Sequence, residues 1–183
     1  IKVLNEITSI LPDVGERQKP SDIVTRGMEI LEEVTDADRG TFYVCDEKEK
    51  TLNSLYSKNV KDPISQHFGR GLSGNVAKTA EIHNTIDAYE DVRFDSSIDL
   101  ITGYKTKSIL TVPIIDATGI VVSVIQLLNK KDWNPFNQID IDSARICGTI
   151  CSCLINNAIV NGRLSQMTKK TTNFFQMIPD LLK

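Results

Sequence analysis

Apolar residues recur along the chain at spacings that switch between helix and strand. In residues 1–11, Ile1, Leu4, Ile7 and Leu11 sit at helical spacing, and Pro12 ends the run. Pro20 and Ser21 open a second helix, with Ser21 or Asp22 expected as N-cap and a stripe of Ile23, Gly27, Ile30, Leu31 and Val34. Residues 40–46 (GTFYVCD) and 51–58 (TLNSLYSK) alternate like paired strands around a charged turn, 47–50. A weaker strand at 64–68, a Gly-rich turn at 69–74, a short helix at 75–80, a short strand at 82–86 and a polar loop at 87–95 follow.

Residues 94–113 (FDSSIDLITGYKTKSILTVP) run from a short polar helix signal, through Thr102-Gly103-Tyr104-Lys105-Thr106, into a buried strand. Donors, acceptors and a Gly thus meet at the mouth of a sheet, where small ligands are commonly held. Two apolar runs, 107–115 and 119–128, are joined by the hairpin turn 116–119. From Asp140 onward, Ala144, Cys147, Ile150, Cys151, Leu154, Ala158 and Ile159 keep a helical stripe. That helix can continue through Leu164 and Met167, with Pro179 expected to mark its end. Antiparallel strands flanked by helices predict an α+β fold, with helices on one face of a sheet and the loop residues on the other.

Bulk properties narrow the function. A chain of 183 residues with 40% hydrophobic content suits one domain with additional helices. A net charge of −3 and a pI near 5.4, without a basic block, argue against nucleic acid or an anionic membrane surface as partner. The longest apolar runs are short for a spanning helix and no secretory signal heads the chain, so no membrane insertion is expected. Three of the four Cys lie within residues 147–153, which cannot staple a fold; a reducing, cytoplasmic setting is expected. The first residue is Ile in a segment that already reads as helix, as in a piece of a longer protein.

No catalytic or metal constellation emerges. His67 and His83 have no nucleophile in a recognisable local frame. Cys147, Cys151 and Cys153 lie on one helix and read as small apolar filler. The pairs Glu32/Glu33 and Asp140/Asp142 read as solvated helix faces. The segment Gly69-Arg70-Gly71-Leu72-Ser73-Gly74 can turn backbone N–H groups and a helix start toward an anion. Asp99, Thr102 and Thr106 add carboxylate and hydroxyl groups, or serve as caps and turn residues. Gln126 interrupts an apolar strand; it meets a ligand edge, or lies on an edge strand in water.

Together these segments resemble the GAF domains of cyclic-nucleotide phosphodiesterases and some adenylyl cyclases. The resemblance runs from Ala37 to Asn157 and rests on Ala37-Asp38-Arg39, residues 71–77 (GLSGNVA), 87–91 (DAYED), Arg93-Phe94, 102–110 (TGYKTKSIL), Pro113-Ile114 and 126–130 (QLLNK). It implies a GAF-like central antiparallel sheet with N- and C-terminal helices on one face and a ligand lid on the other. It implies ligand contacts from Thr41, Leu72, Ser73, Asp95, Asp99, Thr102, Thr106 and Gln126. Asn129, Lys130, Phe136 and Asp140 match a family signature that supports the pocket from behind, Lys and Asp pairing to lock the lid. Ile141 stands where that signature has Glu, and Ser57-Lys58 where the family has the Phe-Asp that stacks on and reads the purine. Pigment-binding and sulfoxide-reducing members need Cys near the lid or pocket, and residues 60–144 contain none.

The expectation is therefore a non-catalytic regulatory domain that binds cAMP or cGMP as allosteric ligand, with no cofactor and no metal. The resemblance implies a downstream catalytic domain, that of a 3',5'-cyclic-nucleotide phosphodiesterase, in the same chain. Residues 1–20 read as an N-terminal helix and linker, 21–160 as the GAF domain, and 161–183 as a connecting helix. The alternative is a GAF scaffold that binds no nucleotide and serves dimerisation. A homodimer through the terminal helices suits either reading.

Overall fold

A computed structural model describes residues 19–60, 62–131 and 134–181. The elements are α1 (Pro20–Thr35), β1 (Ala37–Asp46), β2 (Thr51–Ser57), β3 (Ser65–His67), α2 (Gly71–Thr79), β4 (His83–Thr85), α3 (Ser97–Thr102), β5 (Ile109–Ile115), β6 (Val121–Lys130) and α4 (Gln138–Leu181). The helix expected over residues 1–11 lies outside the described residues.

The strands form one antiparallel sheet in the order β3-β2-β1-β6-β5-β4. Strand alternation gives it two unlike faces. Phe42, Leu110, Val112, Ile125 and Leu127 point to one side, each with no exposed surface, and meet Val24, Met28 and Leu31 of α1 and Ala144, Cys147 and Cys151 of α4. Each such side chain contributes roughly 1.5–3 kcal/mol of burial. The opposite side is covered by α2, by α3 and by the loops around α3.

α1 is capped two or three residues earlier than its Ser21/Asp22 signal: Pro20 occupies the first turn, and Lys19 is the N-cap without a side-chain bond. Proline's fixed φ and missing N–H suit that position, which outweighs the capping signal behind it. α1 packs closely on α4, because a Cβ on Gly27 would stand 2.8 Å from Cys151 Sγ. α4 runs 44 residues and Pro179 falls inside it rather than beyond its end. Its stretch Gln138–Val160 has the length and hydropathy of a membrane span, which the shorter apolar runs of the sequence did not suggest; a third of that window is buried inside the domain. Cys147 and Cys151 are that buried filler, the Cys147 thiol directed at the Gly27 carbonyl at 3.4 Å, while Cys153 is exposed.

Candidate functional site

The second sheet face carries a polar row. Ser57, Thr41, Gln126 and Thr111 are register partners across β2, β1, β6 and β5. Thr41 Oγ1 and Ser57 Oγ lie 3.1 Å apart, and Gln126 Nε2 donates to Thr111 Oγ1 at 3.3 Å. β6 is central, so Gln126 is not on an edge strand. Its half-buried amide faces the cavity with Thr41.

α2 forms one end of this cavity. Gly71 opens the helix at φ +62°, and no side chain caps its first turn. A Cβ on Gly74 would stand 2.5 Å from the His67 carbonyl oxygen, so only Gly lets this turn lie against the chain leaving β3. Leu72 and Ser73 are buried and line the cavity. Tyr43, two residues along β1 from Thr41, is buried, and that burial pushes its hydroxyl up to about 12, opposed by hydrogen bonds with Ser73 and Thr41. Uncapped N–H groups at a helix start are what an anionic group would meet there.

The lid spans residues 87–106 and is fastened at two points. In the middle, the Asp99 carboxylate accepts from Thr106 N (2.7 Å), Thr106 Oγ1 (2.8 Å) and the Tyr89 hydroxyl (3.0 Å). Asp99 and Thr106 are both buried, so these polar groups satisfy one another. At its end, Tyr104 donates to Asp38 Oδ2 (2.7 Å), accepts from Asn129 Nδ2 (2.9 Å) and lies under the Arg39 guanidinium, 3.6 Å from its centroid. Burial, then the bond to Asp38, raises the Tyr104 hydroxyl far above the ordinary phenol value. Asn129, at φ +53°, also donates to the Lys105 carbonyl and accepts from Lys107 N at 2.7 Å. Lys130 pairs with Asp140, which also accepts from Asn137 N at 2.8 Å; Phe136 is buried beside them. Ile141, in place of Glu, packs at the margin of the apolar core.

Seven of the expected contact residues line one cavity: Thr41, Leu72, Ser73, Asp95, Asp99, Thr106 and Gln126. Thr102 ends α3, and its side chain lies outside the described residues. The Asp95 carboxylate is turned to Ser97 N at 3.0 Å, and this bonding lowers its pKa. Ser57 sits in the polar row, whereas Tyr56 points to the helix face and donates to Glu32 Oε1 at 3.0 Å. Lys58 reaches Glu32 Oε2 at 2.8 Å; burial outweighs that partner and raises the Glu32 pKa. Aromatic surface comes from the lid instead of β2: Phe94 and Tyr104 line the cavity, and Phe94 meets Tyr89 edge-on at 5.2 Å.

Arg39, Tyr43 and Tyr104 were not among the expected contacts. The first two share the period-2 face of Thr41, a signal present in the sequence. The pairing of Tyr104 with Asp38 spans 66 residues, and nothing local announces it. The cavity measures about 130 Å³, below the ~300–1,000 Å³ of sites for drug-sized ligands. As it stands, the cavity would not hold a mononucleotide.

The strand order, the helices on one face and the lidded polar cavity on the other define an α+β domain with a covered cavity. A family model described as GAF domain matches residues 19–154, and the chain belongs to that family. It is 32% identical over 160 residues to a Drosophila melanogaster protein named dual 3',5'-cyclic-AMP and -GMP phosphodiesterase 11, covering 76% of this chain and 11% of that protein. It is 30% identical over 165 residues to the Caenorhabditis elegans probable 3',5'-cyclic phosphodiesterase pde-5, covering 81% and 22%. The chain thus spans less than a quarter of either relative. The GAF domain of an Acinetobacter phosphoenolpyruvate-protein phosphotransferase shares the fold, with TM-score 0.72 at 20% identity over 89% of this chain and 98% of that one.

Proposed function

We propose that this GAF domain is a regulatory cyclic-nucleotide sensor, binding cAMP or cGMP and thereby controlling a catalytic domain of the same protein, a 3',5'-cyclic-nucleotide phosphodiesterase. The observation that carries the reading is the polar row Ser57–Thr41–Gln126–Thr111 beneath a doubly fastened lid, with the uncapped start of α2 at one end. The cyclic phosphate would take the Leu72 and Ser73 N–H groups. Thr41 and Gln126 would meet sugar and base, and Asp95, Asp99, Thr102 and Thr106 would close over them. The names of the relatives support the ligand class and the linked activity. Seating a ligand must move the lid, and Asn129, Lys130 and Asp140 connect the lid's end to the start of α4. The output shifts only if affinity differs between the two states of the domain. We place the protein in the cytoplasm, acting as a homodimer through α1 and α4, whose Ile159, Val160 and Met167 are exposed.

One observation favours the second reading, a dimerisation scaffold without nucleotide: the small cavity, with Asp99 and Thr106 bonded to each other. A thermal-shift titration with cAMP, cGMP, AMP and GMP separates the two. Sensing predicts stabilisation of about 2.7 kcal/mol at a hundredfold excess over Kd for a cyclic nucleotide and none for the linear ones. No shift with any of them selects the scaffold. In the sensor, Thr102→Ala and Asp99→Ala weaken binding by at least several-fold in calorimetry (roughly one lost hydrogen bond each); unchanged affinity in both removes these lid residues from the site.

A further inference from the structure

One donor in the cavity wall has no partner. Arg39 lines the cavity, and its Nε is buried without a hydrogen bond. Asp38 Oδ2 stands 4.0 Å away, beyond hydrogen-bonding reach. A guanidinium keeps its protons in a protein, so this group is a permanent donor. Tyr104 holds one face of the guanidinium, and stacking leaves the N–H groups along its edge for an in-plane acceptor. Lys58 borders the same part of the cavity. Its ammonium is held by Glu32 of α1 on the helix side of the sheet, which leaves Arg39 as the cation turned to the cavity.

Position along β1 fixes what these groups would face. Tyr43, Thr41 and Arg39 follow one another on the cavity side of the strand. Tyr43 bonds Ser73 in the first turn of α2. Arg39 lies four residues away, about 14 Å along the strand. A mononucleotide whose phosphate sits on the start of α2 therefore turns its base toward Arg39. The guanidinium donates and does not accept, so the base edge there must offer acceptors.

We infer that Arg39 is a specificity-determining residue that reads the O6/N7 edge of a 6-keto purine, so that the domain prefers cGMP to cAMP. Guanine presents O6 and N7 side by side, the pair a guanidinium meets with two N–H bonds. Adenine places an amino donor where O6 would be, opposing donor to donor. Widening the cavity for a guanine would also give the orphaned Nε–H its acceptor. The inference rests on the cyclic-nucleotide reading above.

The test is calorimetry on the whole chain with cGMP, cIMP and cAMP. cIMP keeps O6 and N7 and lacks the 2-amino group. The wild type should bind cGMP and cIMP at least about tenfold more tightly than cAMP. Arg39→Met should remove most of that gap, weakening the keto purines while cAMP changes less than about twofold. Tyr104→Phe, which loses the hydroxyl bonds to Asp38 and Asn129, should move all three ligands together. If Arg39→Met fails to fold by circular dichroism, Arg39→Lys keeps the charge, removes the fork and should still narrow the gap. Equal or tighter cAMP binding by the wild type overturns the inference and leaves the sensor standing. A uniform loss in Arg39→Met also overturns it, making Arg39 a lid fastening only. No binding of any cyclic nucleotide overturns the sensor itself.

Discussion

The two faces of the sheet are made by the same strands and do opposite things. In β1, Phe42 points to the helix face with no exposed surface, while Thr41 and Tyr43 point to the cavity. In β6, Ile125 and Leu127 go to the helices and Gln126 goes to the cavity. One face is mainly apolar, and α1 and α4 approach closely over it at Gly27 and Cys151. The other lines its cavity with hydroxyls, an amide and a guanidinium N–H that has no hydrogen bond. Stability is concentrated on the first face, so the second can hold polar groups that are incompletely satisfied.

Substitutions can break or sharpen this contrast, and the largest effect belongs to the helix face. Phe42→Ala should cost about 3–5 kcal/mol, by lost burial and a cavity between β1 and the helices, read from urea unfolding. Next is the seam between the faces: Asn129→Ala removes three hydrogen bonds to the lid's end and should cost about 1–3 kcal/mol. Hydrogen exchange should accelerate across residues 104–107 in that variant more than in β5. On the cavity face, Gln126→Met should change unfolding free energy by less than about 1.5 kcal/mol. Its nucleotide affinity should nonetheless fall measurably in the calorimetric assay. A large stability loss in Gln126→Met would erase the contrast.

The smallest effect is a pH dependence at the lid's outer loop. Arg93 bonds both oxygens of Asp91, with the Nη2–Oδ2 distance 2.7 Å, and His83 Nε2 stands 3.0 Å from the same carboxylate. The Arg93 hydrogen bonds hold the Asp91 carboxyl down at about 2. A depressed acid favours the fold when ionised. Its contribution is present above the ordinary carboxylate range near 3.9 and is lost as pH falls toward 2. The melting-temperature gap between wild type and Arg93→Ala should be full at pH 5 and narrow below pH 4. A gap that stays constant across this window would show that Arg93 acts by packing alone.

Much of the architecture was legible because period-2 and period-3.6 patterns report burial directly. The strands around 40–46 and 51–58 were placed as a pair about a charged turn and those around 107–115 and 119–128 as apolar runs, with ends shifted by up to three residues. α2 began earlier than expected because Gly71, at positive φ, still opens a helical turn. Among site residues, position was more legible than employment. Asp99 and Thr106 were identified as polar lid groups, yet the structure bonds them to each other, a pairing set by how the lid folds back. Arg39 was read only as part of a family motif and not as a contact, because its place depends on Tyr104, far along the chain, and on a missing hydrogen bond, which only three dimensions reveal.

The length of α4 has a mechanical consequence. Its last buried position among the described side chains is Ile155, and the helix continues to Leu181. Those further residues make a rod of about 39 Å at 1.5 Å per residue. Rotating the packed base by only ~5° would swing the far end by roughly 3 Å, about the reach of one hydrogen bond. Lys130, pairing with Asp140 at the helix's foot, sits close to the pivot. A displacement there too small to disturb the core could therefore arrive at the tip as the making or breaking of a contact.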